Sequence, residues 1–201
     1  MMIMMSMSIA HADVDVDIDA DEIGRNYVPN LGITADAKSF LRQTLGAIES
    51  VFDLPTKRKP WLAEIDGWRQ EWNNFIKPNF KLETSPLRPE QVVSDIRSVL
   101  PDNAIISLDS GVHHNWFMQF WEAREPQTML NSWGFSAMGF GVSGILGAKL
   151  AAPDRTCVAI CGDGGFSMTP HVLCTAVEYD ISCIWVVWNN FSWSALRYIQ
   201  Y

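Results

Sequence analysis

Cysteine is scarce in this chain, at four of 201 residues, and no two form a Cys-x-x-Cys pair. That argues against a structural zinc site. Long apolar runs are also missing: none approaches the roughly 20 residues of a membrane helix, so no membrane partner is expected. Met1 to Ala10 is apolar and Met-rich but lacks the positive n-region of a signal peptide. It reads as a non-native or truncated start, with a signal peptide as the alternative. Positive charge is short as well. Fifteen Lys and Arg face 23 Asp and Glu, a net charge of −8. No basic patch marks a nucleic-acid footprint. Only 19% of residues are charged against 48% hydrophobic, which excludes a disordered chain. There is no internal repeat.

What is present is a globular composition long enough to bury a core. Nine Trp suggest large buried or interfacial rings. Much of the acidic charge is local, from Asp13 to Glu22. Three of the cysteines (Cys157, Cys161 and Cys183) lie in or beside apolar runs. They read as small buried hydrophobes in a reducing compartment, which implies a cytoplasmic protein.

His11 to Asp19 alternates, with Val14, Val16 and Ile18 against Asp13, Asp15, Asp17 and Asp19. Period two predicts a strand with one buried face and its Asp residues in solvent. Asp21 to Gly24 reads as a turn, Pro29 to Thr34 as a loop and short strand. Asp36 is a candidate N-cap for a helix with Phe40, Leu41, Leu45 and Ile48 on one face. Val51 to Lys59 is loop-like. Trp61, Ile65, Trp68 and Trp72 have helical spacing. Pro78, Pro86 and Pro89 mark a linker and a domain boundary.

Beyond Pro89 the rhythm changes. A helix over Val92 to Leu100, a strand over Ala104 to Leu108, a helix near Trp116 to Trp121 and a short strand at Thr128 to Leu130 are predicted. Ala137 to Ala152, rich in Gly and Ala, reads as a buried helix packed closely on a sheet. Thr156 to Cys161 is a strand, Thr169 to Tyr179 a helix, and Cys183 to Trp188 a strand. Such alternation predicts an α/β fold with a doubly wound, mainly parallel sheet. Both ends of the chain read as cut, leaving that fold incomplete. Gly139-x-Gly141-x-x-Gly144 spells a dinucleotide fingerprint, but it lies inside the helical stretch and lacks the preceding strand.

Gly162-Asp163-Gly164 closes one apolar run and Asn189-Asn190 closes the next, with 24 residues between them. That describes a β-α-β unit with polar groups at both strand ends, where ligands of open α/β sheets sit. An Asp and an Asn oxygen brought together there suit Mg2+, which prefers hard oxygen ligands. The plain alternative is two turns capping two buried strands. Asn73-Asn74, in a polar helical segment, shows that an Asn pair alone means little.

The paired motif resembles that of thiamine diphosphate enzymes, and the chain is similar to the large catalytic subunit of acetolactate synthase or a close relative. Val14 to Asp19, Glu22-Ile23-Gly24 and Asp36-Ala37-Lys38 resemble the end of that family's central domain; Leu87 to Tyr201 resembles its diphosphate-binding domain. The resemblance implies three parts: residues 1–53 as the tail of a second α/β domain, 54–86 as a linker region with a Trp-rich helix, and 87–201 as a truncated diphosphate domain.

It also implies site residues. Asp163 and Asn190 would bind Mg2+ by their side chains and Ser192 by its carbonyl, with the metal held to the cofactor's diphosphate. Gly162 precedes this turn, and Gly164 and Gly165 would bring backbone N–H groups to the phosphates. Asp109-Ser110-Gly111-Val112-His113 resembles the loop on the other side, His113 donating to a phosphate oxygen, with His114 the competing candidate. Val112 stands where the family often has Gln. Met138, in Ser136-Ala137-Met138-Gly139-Phe140-Gly141, would prop the cofactor in its bent shape; taken alone it reads as a core Met. Ser136, where Gly is usual, would offer its carbonyl to the aminopyrimidine. Val172 stands where many relatives have Glu.

The activity so implied is that of a 2-oxo acid carboligase or decarboxylase, in a homodimer or homotetramer whose active sites lie between subunits. No segment here resembles the pyrimidine-binding domain that carries the family's activating Glu, so no catalytic residue is assigned and the chain alone is expected to be inactive. The alternatives are a non-catalytic cofactor-binding remnant, or a relative such as glyoxylate carboligase or diketone hydrolase.

Overall fold

The computed structural model describes residues 13–51, 59–81 and 84–200. The Met-rich start, the beginning of the alternating segment at His11 and most of the loop from Val51 to Lys59 lie outside the described residues. The chain divides into two compact units, one up to Arg69 and one from Gln70 onward.

In the first unit β1 (Val14–Asp17) pairs in parallel with β2 (Leu31–Thr34), Val14 opposite Leu31. The expected separation of faces is not realised, since Val14 is about as open as a surface residue at 49% exposure. The Asp side chains instead serve the local backbone. Asp15 Oδ2 accepts from the Gly24 N–H (2.9 Å), and Asp17 Oδ1 from that of Asp19 (2.8 Å). Such bonds favour turns over extended pairing, which shortens the strand. α1 (Ala37–Val51) starts at Asp36, whose Oδ1 accepts from the Ser39 N–H (2.9 Å), as an N-cap should. α2 (Lys59–Ile76) realises the Trp spacing: Trp61 and Trp68 meet edge to face at 5.6 Å.

The second unit holds a four-stranded, all-parallel sheet of β3 (Ile105–Leu108), β4 (Met129–Asn131), β5 (Cys157–Gly162) and β6 (Ile184–Trp188), in the order β4-β3-β5-β6. Alternation along β3 and β5 builds two cores. Ile106, Leu108, Val158 and Ile160 face Val93 of α3 (Pro89–Val99) and Phe117 of α4 (Val112–Phe120). Ile105, Cys157, Ala159 and Cys161 face the other side, where α5 (Phe140–Ala151) and α7 (Val172–Glu178) pack with Val142, Ile145, Leu146 and Ala176. Helices on both faces of a parallel sheet make the fold doubly wound, as the sequence predicts. Trp116 and Trp72 stack on Phe120 from two sides. Among the described residues no helix is long and apolar enough to cross a membrane.

Among the boundaries that differ from those the sequence predicts, two shape the site. α5 begins at Phe140, three residues late, because Gly139 stands in a left-handed conformation (φ 90°) that interrupts the helix. The Gly-Asp-Gly segment is no open turn: β5 runs through Gly162 straight into α6 (Asp163–Met168), which ends before Pro170.

Candidate functional site

After β3 the chain crosses to β4 on one side, whereas β5 lies on the other. The connections leaving β3 and β5 therefore diverge, opening a crevice at the carboxyl ends of the strands. A cavity of about 380 Å³ lies there. Eight of the nine residues predicted from sequence line it: His113, Met138, Gly162, Asp163, Gly164, Gly165, Asn190 and Ser192. Ser136 does not. It sits exposed, with Oγ 3.4 Å from Ser110 Oγ, and at φ 49° it holds a left-handed conformation that suits the glycine usual there.

His113 enters in the first turn of α4 and is 5% exposed. Gly111, at φ 150°, makes room for it: a Cβ there would stand 2.8 Å from the ring. Nε2 has no hydrogen-bond partner. Burial, aided by the neighbouring His114, brings the imidazole pKa down to about 4, so the ring is neutral near pH 7. His114 is engaged elsewhere, its Nε2 2.7 Å from Asn131 Nδ2 and its ring edge-on to Trp133. Of the two histidines only His113 lines the cavity.

Across the crevice, Asp163 opens α6 and its Oδ1 accepts from the Gly164 N–H (2.8 Å). Gly164 is crowded from outside: a Cβ there would meet the Trp193 indole and, at 3.2 Å, the Met138 methyl. Asn190 follows β6; its Oδ1 accepts from the Ser192 N–H (3.1 Å), and its Nδ2 donates to Ser194 Oγ (2.8 Å). Between them Phe191 is held at φ 54°, a conformation rare for an aromatic residue and frequent at functional sites. α8 (Ser194–Gln200) closes the outer wall with Leu196 and Tyr198.

This donor set suits a divalent cation carrying a diphosphate. One carboxylate, one amide oxygen and one carbonyl are hard oxygen ligands too few for a closed cage, so they leave room for phosphate oxygens. Among the described residues no three His, Cys, Asp or Glu cluster as a metal site. His113 stands on the facing wall.

Sequence reasoning missed two residues. Trp193 covers Gly164 although it belongs to no motif. Asp109, read only as the start of a loop, is completely buried beneath the crevice.

Residues 109–200 match the family model for thiamine pyrophosphate enzymes, C-terminal TPP binding domain. A probable acetolactate synthase large subunit of Methanocaldococcus jannaschii is 33% identical over 191 residues, covering 89% of this chain and 31% of that protein. The putative thiamine pyrophosphate-containing protein YdaP of Bacillus subtilis is 32% identical over 179 residues, covering 89% of this chain and 30% of its own length. A sulfoacetaldehyde acetyltransferase of Alcaligenes xylosoxydans is 31% identical over 150 residues, 71% of this chain and 25% of its own. The chain thus spans about a third or less of the curated relatives it matches.

Proposed function

Because residues 109–200 match the family model for thiamine pyrophosphate enzymes, we propose that the crevice holds thiamine diphosphate through Mg2+, as the cofactor-binding part of a 2-oxo acid carboligase or decarboxylase of acetolactate synthase type. The observation that carries this reading is that His113 and the Asp163–Gly165 segment, from different strand ends, line one cavity.

In this reading the Asp163 and Asn190 side chains and the Ser192 carbonyl hold Mg2+, and the Gly164 and Gly165 N–H groups meet phosphate oxygens. His113 donates to a phosphate oxygen from the opposite wall. Met138 supports the bend between the cofactor's rings, and the Ser136 carbonyl is offered to the aminopyrimidine. When bound, the cofactor supplies the electron sink for making or breaking a bond beside a carbonyl; the chain contributes grip, shape and exclusion of water.

The pyrimidine half of the site is contributed by a second subunit in a homodimer or homotetramer. Four free thiols support a reducing, cytoplasmic setting. Titration calorimetry with thiamine diphosphate and Mg2+ tests the reading. Binding should be lost or weakened in Asp163→Ala, and equal affinity in parent and variant would sink it.

A further inference from the structure

Asp109 is fully buried at the carboxyl end of β3, and the cofactor grip described above gives it no part. Its N–H donates to the Ile160 carbonyl (2.9 Å), so the β3–β5 ladder continues to this residue. Its side chain then meets two helices. Oδ1 accepts from the Gly141 N–H, 3.1 Å away, in the first turn of α5. That helix has no side-chain cap of its own, and Asp109 satisfies one of its open donors from another strand. Oδ2 lies against Gly165, in the first turn of α6, and has no hydrogen-bond partner.

Two glycines of different helices make room for this carboxyl. A Cβ on Gly141 would stand 2.5 Å from the Asp109 backbone nitrogen, and one on Gly165 would overlap Oδ2. A buried carboxyl oxygen left unpaired opposes folding. An apolar side chain would fill the space without that cost, so packing alone does not account for an Asp here.

We propose that Asp109 is a positioning residue for the cofactor. One side chain fixes the start of α5, and with it Met138, relative to Gly164 and Gly165 at the start of α6. The proposal rests on the reading of the site given above. Met138 and Gly164 already face each other across a gap that a single methyl would fill. A small shift of either segment therefore changes the room for a cofactor held between them.

Hydrogen exchange and calorimetry on the whole 201-residue chain test this. Asp109→Leu and Asp109→Ala, which lack an acceptor, should speed amide exchange at both Gly141 and Gly164 by about tenfold. They should weaken thiamine diphosphate binding in Mg2+ by about tenfold or more, the scale of losing an orienting partner. Asp109→Asn, which keeps an oxygen for Gly141, should restore both to within about threefold. Restoration by Leu as well as Asn would overturn the proposal, because filling the space would then suffice. Faster exchange at Gly141 with no change at Gly164 would overturn it too. If the parent chain binds no thiamine diphosphate, the functional reading fails, while the paired exchange response still decides whether Asp109 couples the two segments.

Discussion

The Met138 methyl lies 3.2 Å from the place a Cβ on Gly164 would take, so two segments far apart in sequence meet at a point where only hydrogen fits. Gly165, the next residue, is crowded from the opposite side by Asp109. These adjacent glycines therefore face different neighbours, one set able to yield and the other fixed.

The difference predicts unequal costs for the same substitution. In Gly164→Ala the new methyl meets Trp193, which is 52% exposed and can swing outward. Stability should fall by about 0.5 kcal/mol, the low end of the range for single substitutions. In Gly165→Ala the methyl meets a buried carboxyl with nowhere to go, and a loss of about 1–3 kcal/mol is expected. Denaturant unfolding of the two variants measures this, and equal losses would contradict the assignment of Asp109 beneath Gly165.

His113 gives a pH dependence of known sign. Its pKa in the fold is about 4, below the ordinary 6.5, because burial disfavours the imidazolium. Above pH 6.5 neither the folded nor the unfolded chain is protonated there, and no penalty arises. As the pH falls from 6.5 toward 4 the unfolded chain takes up a proton that the folded chain refuses, so stability drops. The full drop is at most roughly 3 kcal/mol. His113→Asn should flatten the stability profile across this window; a profile of unchanged slope would show that His113 is not buried as described.

Thiol reactivity should divide the four cysteines. Burial, with the nearby Asp109 charge, pushes the Cys161 thiol up to about 12, and burial pushes Cys183 up to about 11. Cys157 is raised by the same cause. Cys174 is exposed. A thiol-disulfide reagent at pH 8 should titrate one cysteine rapidly and the remaining three only in denaturant. Loss of the fast phase in Cys174→Ser identifies it, and a fast phase of two or more thiols would contradict the burial of the sheet.

Much of this was legible in the sequence because it is local. The apolar runs ending at Gly162 and Trp188 are strands because they are short, rich in β-branched or aromatic residues and closed by turn formers. The spacing of Asp163 and Asn190 then follows from one β-α-β unit. The split of the intervening stretch into α6 and α7 was hidden because Asp163-Gly164-Gly165 has poor helix propensity. It forms a helical turn here on tertiary support. The first unit was read less well, since its Asp side chains bond their own backbone and leave no clean buried face. Asp109 was legible only as the start of the loop leading to His113. Its partners Gly141 and Gly165 are set by the sheet order and by the return of two different helices, and neither has a periodicity that points back to position 109.

The pairing of β3 with β5, Ile105 opposite Cys157 and Leu108 opposite Ile160, also governs when the crevice can exist. Its two walls are joined only through contacts distant in sequence, and the loop between them must close before either wall is useful. The helix-forming pieces can collapse early, but His113 and Asp163 come to face each other only once the central strands have zipped. Affinity for the cofactor should therefore arise late in folding and all at once. A peptide carrying the Gly162–Asn190 motif without β3 would have Asp163 and Asn190 and no opposite wall.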